Sequence, residues 1–394
     1  MERFGCPGFK TAGVHAGLKK NGALDLGLIY AEQPATVAGV FTRNLVQAAP
    51  VQLTRQRVAA GRCRAVIVNS KNANCCTGAD GMRDARATTG LVARTLGLDE
   101  DEVLAASTGV IGAPMPVDKI SAAVPALCGA LVADDVEALA RSMMTTDTVP
   151  KAVRRRGTVY GRDFTVVGVA KGAGMIRPDM ATMLCFVMTD VQATADVLQT
   201  ALSAGVERSL NRITIDGDTS TNDTCLLLAS GVSEARIDTN GAREAFQKVL
   251  DDVLMDLARR LVADGEGVTK VVTVSVCGAQ TEADARRIVD AVAHSPLVKT
   301  AFFGQDANWG RILAAAGRAG AKLDPERLAL FFDDVQMVRD GVGCGAAAEA
   351  AATAVLKKDA FTVTLDLGLG RGRAEMLTCD FSVDYVKINA DYRS

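Results

Sequence analysis

Short apolar runs rich in β-branched residues alternate along this chain with longer stretches of helical spacing. That alternation restricts it to a mixed α/β (α+β) architecture with helices layered on sheets. CRAVIVNS (63–70), the run over 163–170, the run over 183–189 and VVTVSVCG (271–278) have strand length and composition. Helical spacing covers 82–98, 195–213, 242–267, 282–295 and 346–358. Residues 326–338 read as strand material, and the closing FTVTLDLGLG and FSVDYVKIN read as two strands around a glycine turn. No fixed-period repeat and no Pro- or Ser-rich linker interrupts the pattern. With 48% hydrophobic residues over 394 positions there is ample apolar mass for a core spanning two or three domains.

Several function classes are excluded early. The net charge is −2 with both signs dispersed, and aromatic residues make up 4%, so neither a basic stripe nor a stacking platform for nucleic acid is expected. The N-terminal MERFGCPGFK has no signal-peptide run, and no apolar run is long enough to span a membrane. The 10 cysteines are scattered without a CxxC pair. That pattern suits a cytoplasmic protein with reduced thiols, and with no clustered ligands neither a metal site nor a cofactor is expected. LGLGRGRAE (367–375) contains GxGxG, but a strand rather than a helix is expected after it, so it reads as a hairpin turn and not a dinucleotide cradle. The chain has only 2 histidines, His15 and His294. Nucleophilic chemistry here is therefore expected to run without imidazole.

One stretch offers a way. In KGAGMIRPDMATMLCFVMTD (171–190) a Gly- and Pro-containing loop leads into an apolar run that begins just after Thr182. A threonine hydroxyl is a weak nucleophile unless a base sits beside it, and a threonine at a chain N-terminus carries such a base in its own α-amine. An internal threonine reaches that state if the bond before it is cut. Thr182 Oγ would attack the carbonyl of Ala181, giving an ester that water opens. The new α-amine would have a pKa of about 8, suited to a base near neutrality. STGVIG (107–112) sets Thr108 and Gly109 in a turn where a hydroxyl and a backbone N–H could steady an oxyanion. Lys171 supplies a cation for a carboxylate substrate. Spacing alone favours the plainer reading, a β-branched residue opening a strand.

The assembled motifs change the balance. KGAGMIRPDMATML resembles the cleavage segment of the ornithine acetyltransferase (glutamate N-acetyltransferase) family of arginine biosynthesis. NSKNANCCTG (69–78), ASTGVIG (106–112), MTTDTVPK (144–151), DGDTSTNDT (216–224), DGEGVTK (264–270), FFGQDANWGRI (302–312) and YVKINADYRS (385–394) are similar to family segments in the same order.

The resemblance implies a layered αββα-type sandwich, cut between Ala181 and Thr182 into an α chain (1–181) and a β chain (182–394) that assemble as α2β2. It implies Thr182 as the nucleophile and Thr108 and Gly109 as the oxyanion hole. Substrate contacts would come from Lys171, Thr182, Glu266, Asn389, Ser394 and a threonine of the TTDT block, Thr148 before Thr145. The reaction implied is acetyl transfer from N2-acetyl-L-ornithine to L-glutamate through acetyl-Thr182. Acetyl-CoA is a further expected donor, although no motif decides it. Lys71, Arg43 and Gln305 depart from the family pattern, and at Lys71 a different loop geometry is expected if the usual glycine has positive φ. Two other readings remain open: an amidohydrolase or aminopeptidase with water as acceptor, and an uncut relative that binds or regulates.

Overall fold

The computed structural model describes residues 4–177 and 183–391, which leaves Ala181, Thr182 and Ser394 outside. The chain divides into two compact units, Met1–Asn211 with Asp218–Leu261, and Arg212–Gly217 with Val262–Ser394.

The first unit holds, in chain order, β1 (Phe9–Val14), β2 (Leu26–Phe41), α1 (Ala49–Val58), β3 (Arg62–Asn69), α2 (Gly78–Leu96), β4 (Val103–Ser107), α3 (Val117–Gly129), α4 (Glu137–Met143), β5 (Lys151–Val159), β6 (Arg162–Lys171), β7 (Leu184–Thr189), α5 (Ala195–Arg208), β8 (Thr224–Ala229) and most of α6 (Asn240–Ala263). Its strands form one sheet in the order β4-β3-β2-β8-β7-β6-β5, with β1 against β2. β3 shows how the pattern builds a two-sided core. Ala65 and Ile67 join a buried cluster with Val92, Ile120 and Val124 of α2 and α3. Val66 and Val68 join another with Phe186 of β7 and Leu226 of β8. β7 is buried along its whole length, as expected for a central strand covered on both faces.

The pairing around β7 positions the site. β6 runs antiparallel to β7 with Lys171 opposite Leu184, and β7 runs parallel to β8 with Leu184 opposite Thr224. The end of β6 and the starts of β7 and β8 therefore lie side by side. β5 and β6 precede residue 181 and β7 and β8 follow it, all within one sheet.

The second unit holds β9 (Val271–Ala279), α7 (Glu282–Ala293), α8 (Pro296–Phe303), α9 (Trp309–Gly317), β10 (Ala329–Phe332), β11 (Val335–Arg339), β12 (Val342–Gly343), α10 (Ala346–Leu356), β13 (Ala360–Asp366), β14 (Gly372–Cys379) and α11 (Val383–Ala390). Its sheet order is β12-β11-β10-β13-β9-β14. Val272, Val274 and Val276 of β9 pack with Ile288, Val289 and Val292 of α7. The segment after the GxGxG turn is indeed a strand, β14, so a helix N-terminus for a dinucleotide is missing there.

One expectation is overturned. FSVDYVKIN, read as the last strand, is helix α11. Ser382 decides this by capping: its hydroxyl accepts from Tyr385 N–H, and Asp384 lies in the first turn. Val383, Val386 and Ile388 imitate a strand in composition, yet they are exposed. Two helices also end early. α5 stops at Arg208 rather than 213, and α6 stops at Ala263, short of the glycine turn at 265.

Among the described residues no helix is long and apolar enough to cross a membrane. Phe186, with no exposed surface, sits at the centre of β7. Phe186→Ala is expected to lower unfolding stability by about 3–5 kcal/mol, read from urea midpoints.

Candidate active site

The first unit gathers several of the expected residues around two loops. The loop after β3 is tied down by amides. Asn69 Nδ2 donates to Asn72 O (2.9 Å), Asn72 Nδ2 to Pro114 O (2.9 Å), and Asn74 Nδ2 to Gly81 O (2.9 Å). Lys71 takes φ +71°, so the lysine itself adopts the left-handed conformation that a glycine would favour, and the expected change of loop geometry does not follow from it. Gln305, another departure, likewise sits at φ +54°.

Against this loop lies the turn after β4. Thr108 N–H donates to Asn69 O (3.0 Å) and Val110 N–H to Lys71 O (3.1 Å). Gly109 has φ +136°, and a Cβ there would stand 2.1 Å from the Lys71 carbonyl carbon, so only glycine fits. No hydrogen bond engages the Gly109 N–H among the described residues. Lys171 Nζ donates to Thr108 Oγ1 at 3.4 Å, which leaves the hydroxyl proton available to another acceptor. A free N–H beside an available O–H is the donor pair an oxyanion requires.

Lys171 is held by a residue that motif reading passed over. Asp147, inside the TTDT block, is fully buried at its side chain. It accepts from Lys151 Nζ (2.7 Å), Gly172 N–H (2.8 Å) and Thr145 N–H (3.0 Å), and lies 4.0 Å from Lys171 Nζ. Burial pushes its pKa up, but the charges of Lys171 and Lys151 outweigh burial and hold the carboxyl well below its usual range. Of the two threonines expected there, Thr145 joins this network through its backbone and Thr148 is exposed. Lys19 adds a further cation: its Nζ donates to Leu24 O at 2.5 Å, and burial lowers its pKa while Asp25 and Asp147 pull the other way.

Asn222, just before β8, clasps both loops. Its Nδ2 donates to Ala73 O (2.6 Å) and Ser107 O (2.8 Å). The motif DGDTSTNDT gave the signal for it, although the expected site residues did not include it.

The second unit brings together two of the others. Asn389 Nδ2, on α11, donates to Glu266 Oε2 at 2.8 Å, and Glu266 is buried. Ser382 Oγ donates to Gly267 O (2.6 Å), tying the start of that helix to the Glu266 loop. Both histidines serve local structure. His15 Nδ1 meets Ala23 O (2.9 Å), and His294 Nδ1 meets Asp290 O (2.8 Å) at the end of its own helix.

The chain is similar to known proteins along nearly its whole length. A model of the ArgJ family matches residues 10–394. The arginine biosynthesis bifunctional protein ArgJ of Geobacter sulfurreducens is 53% identical over 98% of this chain and 99% of its own. The protein of the same name from Syntrophotalea carbinolica is 51% identical over the same shares. A crystal structure of ArgJ from Bacillus halodurans is 39% identical with a TM-score of 0.50, covering 52% of this chain and 97% of its own.

Asp147→Asn leaves two buried ammonium groups without their shared anion, so a loss of about 3–5 kcal/mol is expected in urea unfolding at neutral pH. The folded carboxyl titrates below the unfolded value of about 3.9, so its contribution is complete above that pH. Wild-type stability should then decline as pH falls below about 4, and more steeply than that of Asp147→Asn.

Proposed function

The chain belongs to the ArgJ family, and from that membership we propose how it works. The protein is an ornithine acetyltransferase of arginine biosynthesis, and its bifunctional relatives extend the assignment to amino-acid N-acetyltransferase activity. The observation that carries this is 53% identity along virtually the whole of a protein named arginine biosynthesis bifunctional protein ArgJ.

Thr182 is the acyl carrier. The chain splits between Ala181 and Thr182, and the freed α-amine accepts the Thr182 hydroxyl proton as Oγ adds to the acetyl carbonyl of N2-acetyl-L-ornithine. Thr108 Oγ–H and Gly109 N–H face the oxyanion. Ornithine departs with the proton, and acetyl-Thr182 remains. The amine of L-glutamate then takes the acetyl group, giving N-acetyl-L-glutamate. Acetyl-CoA reaches the same acyl-enzyme as a second donor, and no bound cofactor enters the cycle. Support for Thr108 and Gly109 comes from their unused donors, and for Lys171 as a carboxylate partner from its position beside Thr108 (3.4 Å). Thr148 or Thr145 adds a hydroxyl contact. Glu266, steadied by Asn389, suits the side-chain ammonium of ornithine. Ser394 is assigned to substrate by the family resemblance alone.

The solved Bacillus halodurans chain is matched over 97% of its length yet spans 52% of this one, which fits a protein found as two pieces. Those pieces, 1–181 and 182–394, are proposed to remain together as α2β2 in the cytoplasm.

Thr182→Ala should abolish splitting and lower transfer by about a thousandfold or more, while Thr182→Ser should retain part of the splitting. N-terminal sequencing of the wild-type pieces checks the cut, with Thr-Met-Leu-Cys expected. An assay offering acetylornithine with and without glutamate distinguishes transfer from hydrolysis, free acetate being the product that would refute transfer.

A further inference from the structure

The turn at Thr108 and Gly109 lies among more ammonium groups than the proposed reaction has used. We infer that Lys19 is a specificity-determining residue for the acceptor: it receives the side-chain carboxylate of L-glutamate, the group that an ammonium replaces in the donor. The inference rests on the functional reading above, in which glutamate takes the acetyl group.

Lys19 is 8% exposed. Its ammonium carries three N–H donors, and one of them goes to Leu24 O (2.5 Å). Among the described residues no other hydrogen bond and no ion pair engages Lys19 Nζ. A buried cation with donors to spare is costly unless an anion reaches it. The carboxylate of Asp25 does not form that pair. It accepts from the backbone N–H groups of Ala16 (2.6 Å), Leu18 (2.7 Å) and Lys19 (2.8 Å) and lies 3.3 Å from His15 Nδ1. Asp25 therefore fixes the loop over 15–19 and leaves the Lys19 ammonium unpaired.

The same loop is set against the Thr108 turn. Asp25 O accepts from Ser70 N–H (3.0 Å), and the next residue, Lys71, gives its carbonyl to Val110 N–H (3.1 Å). Lys171 Nζ approaches Thr108 Oγ1 at 3.4 Å from the end of β6. Burial lowers the Lys19 pKa; Asp25 and Asp147 oppose this, and the charges of Lys171 and Lys71 add to it. Asp147 is already shared between Lys151 (2.7 Å) and Lys171 (4.0 Å). The lysines here thus bring more positive charge than the local carboxylates pair.

That excess suits a dianionic amino acid. Glutamate has two carboxylates, whereas N2-acetyl-L-ornithine has one carboxylate and a side-chain ammonium. With Lys171 on the first carboxylate of glutamate, Lys19 offers its spare donors to the second. The incoming anion pairs the buried cation and relieves the repulsion among the lysines. An ammonium in the same place would meet like charge, so the subsite discriminates by repulsion as well as by attraction. Lys71, which is exposed, adds its charge to the same field.

The test compares two activities of the full-length protein. One is acetyl transfer from acetylornithine to glutamate. The other is acetyl exchange between acetylornithine and isotopically labelled ornithine, which needs no glutamate. Lys19→Met removes the charge from a side chain of similar length. The KM for glutamate is expected to rise about tenfold or more, and kcat/KM for glutamate to fall about tenfold further than the exchange rate. Lys19→Arg, which keeps the charge, should recover part of the loss. Equal losses in transfer and exchange would overturn the proposal and mark Lys19 as structural. A KM rise confined to acetyl-CoA would put a phosphate there in place of the carboxylate and overturn it too. Wild-type protein that performs neither exchange nor transfer would remove the functional reading along with the inference. Wild type active in both, with the glutamate KM unchanged in Lys19→Met, removes the inference alone.

Discussion

The first unit depends on the pairing of β6, β7 and β8, which sets Lys171, Leu184 and Thr224 abreast. Register in a sheet is all or nothing, because a slip of one residue turns every side chain to the opposite face. β7 is buried on both faces, so it has little freedom to slip. Once that register is fixed, the end of β6 presents Lys171, the segment before β7 presents Met183, and the turn before β8 presents Asn222 and Asp223. Asn222 extends the arrangement to Ala73 and Ser107, 149 and 115 residues away in sequence. Backbone pairing thus does the positioning, and a few side chains lock the loops to it.

The charges around this edge are arranged unequally. Asp147 is surrounded by donors and stays ionised between two lysines. Asp223 is as deeply buried, faces only part of the Lys171 charge, and keeps an oxygen without a partner. Two carboxyls of the same unit are thereby driven in opposite directions. Asp147 serves as the counter-ion of Lys151 and Lys171 at the end of β6.

Much of this was legible in the residues. The β-branched runs of β3, β6, β7 and β9 marked themselves, because burial on a sheet selects that composition. Helix α11 was missed because Val383, Val386 and Ile388 carry strand-like composition, while the capping role of Ser382 is one hydroxyl in a polar stretch. Thr108, Gly109 and Lys171 were legible through motifs, and the structure groups Thr108 and Gly109 with Lys171 as it groups Glu266 with Asn389. Asp147, Asn222 and Asp223 lay inside quoted motifs without being chosen. Small polar loops contain many candidates, and for Asn222 the inward turn is decided by partners over a hundred residues away. Lys71 was misjudged for a related reason: a lysine can occupy the left-handed region when neighbouring hydrogen bonds hold it there.

The shared sheet also explains how a protein could be cut inside its own core unit and stay whole. A cut after residue 181 would leave β5 and β6 on one piece and β7 and β8 on the other. β6 would still pair with β7 along six residues, and β2 with β8 along another six. Parting the pieces would expose Val167, Val169, Phe186 and Leu226, which are buried together in one cluster. Burial of such side chains is worth about 1.5–3 kcal/mol each, far more than the loop-closure entropy that an intact connection of a dozen residues saves. The peptide bond at the cut therefore contributes little to holding the unit together. Its loss would therefore be compatible with the fold.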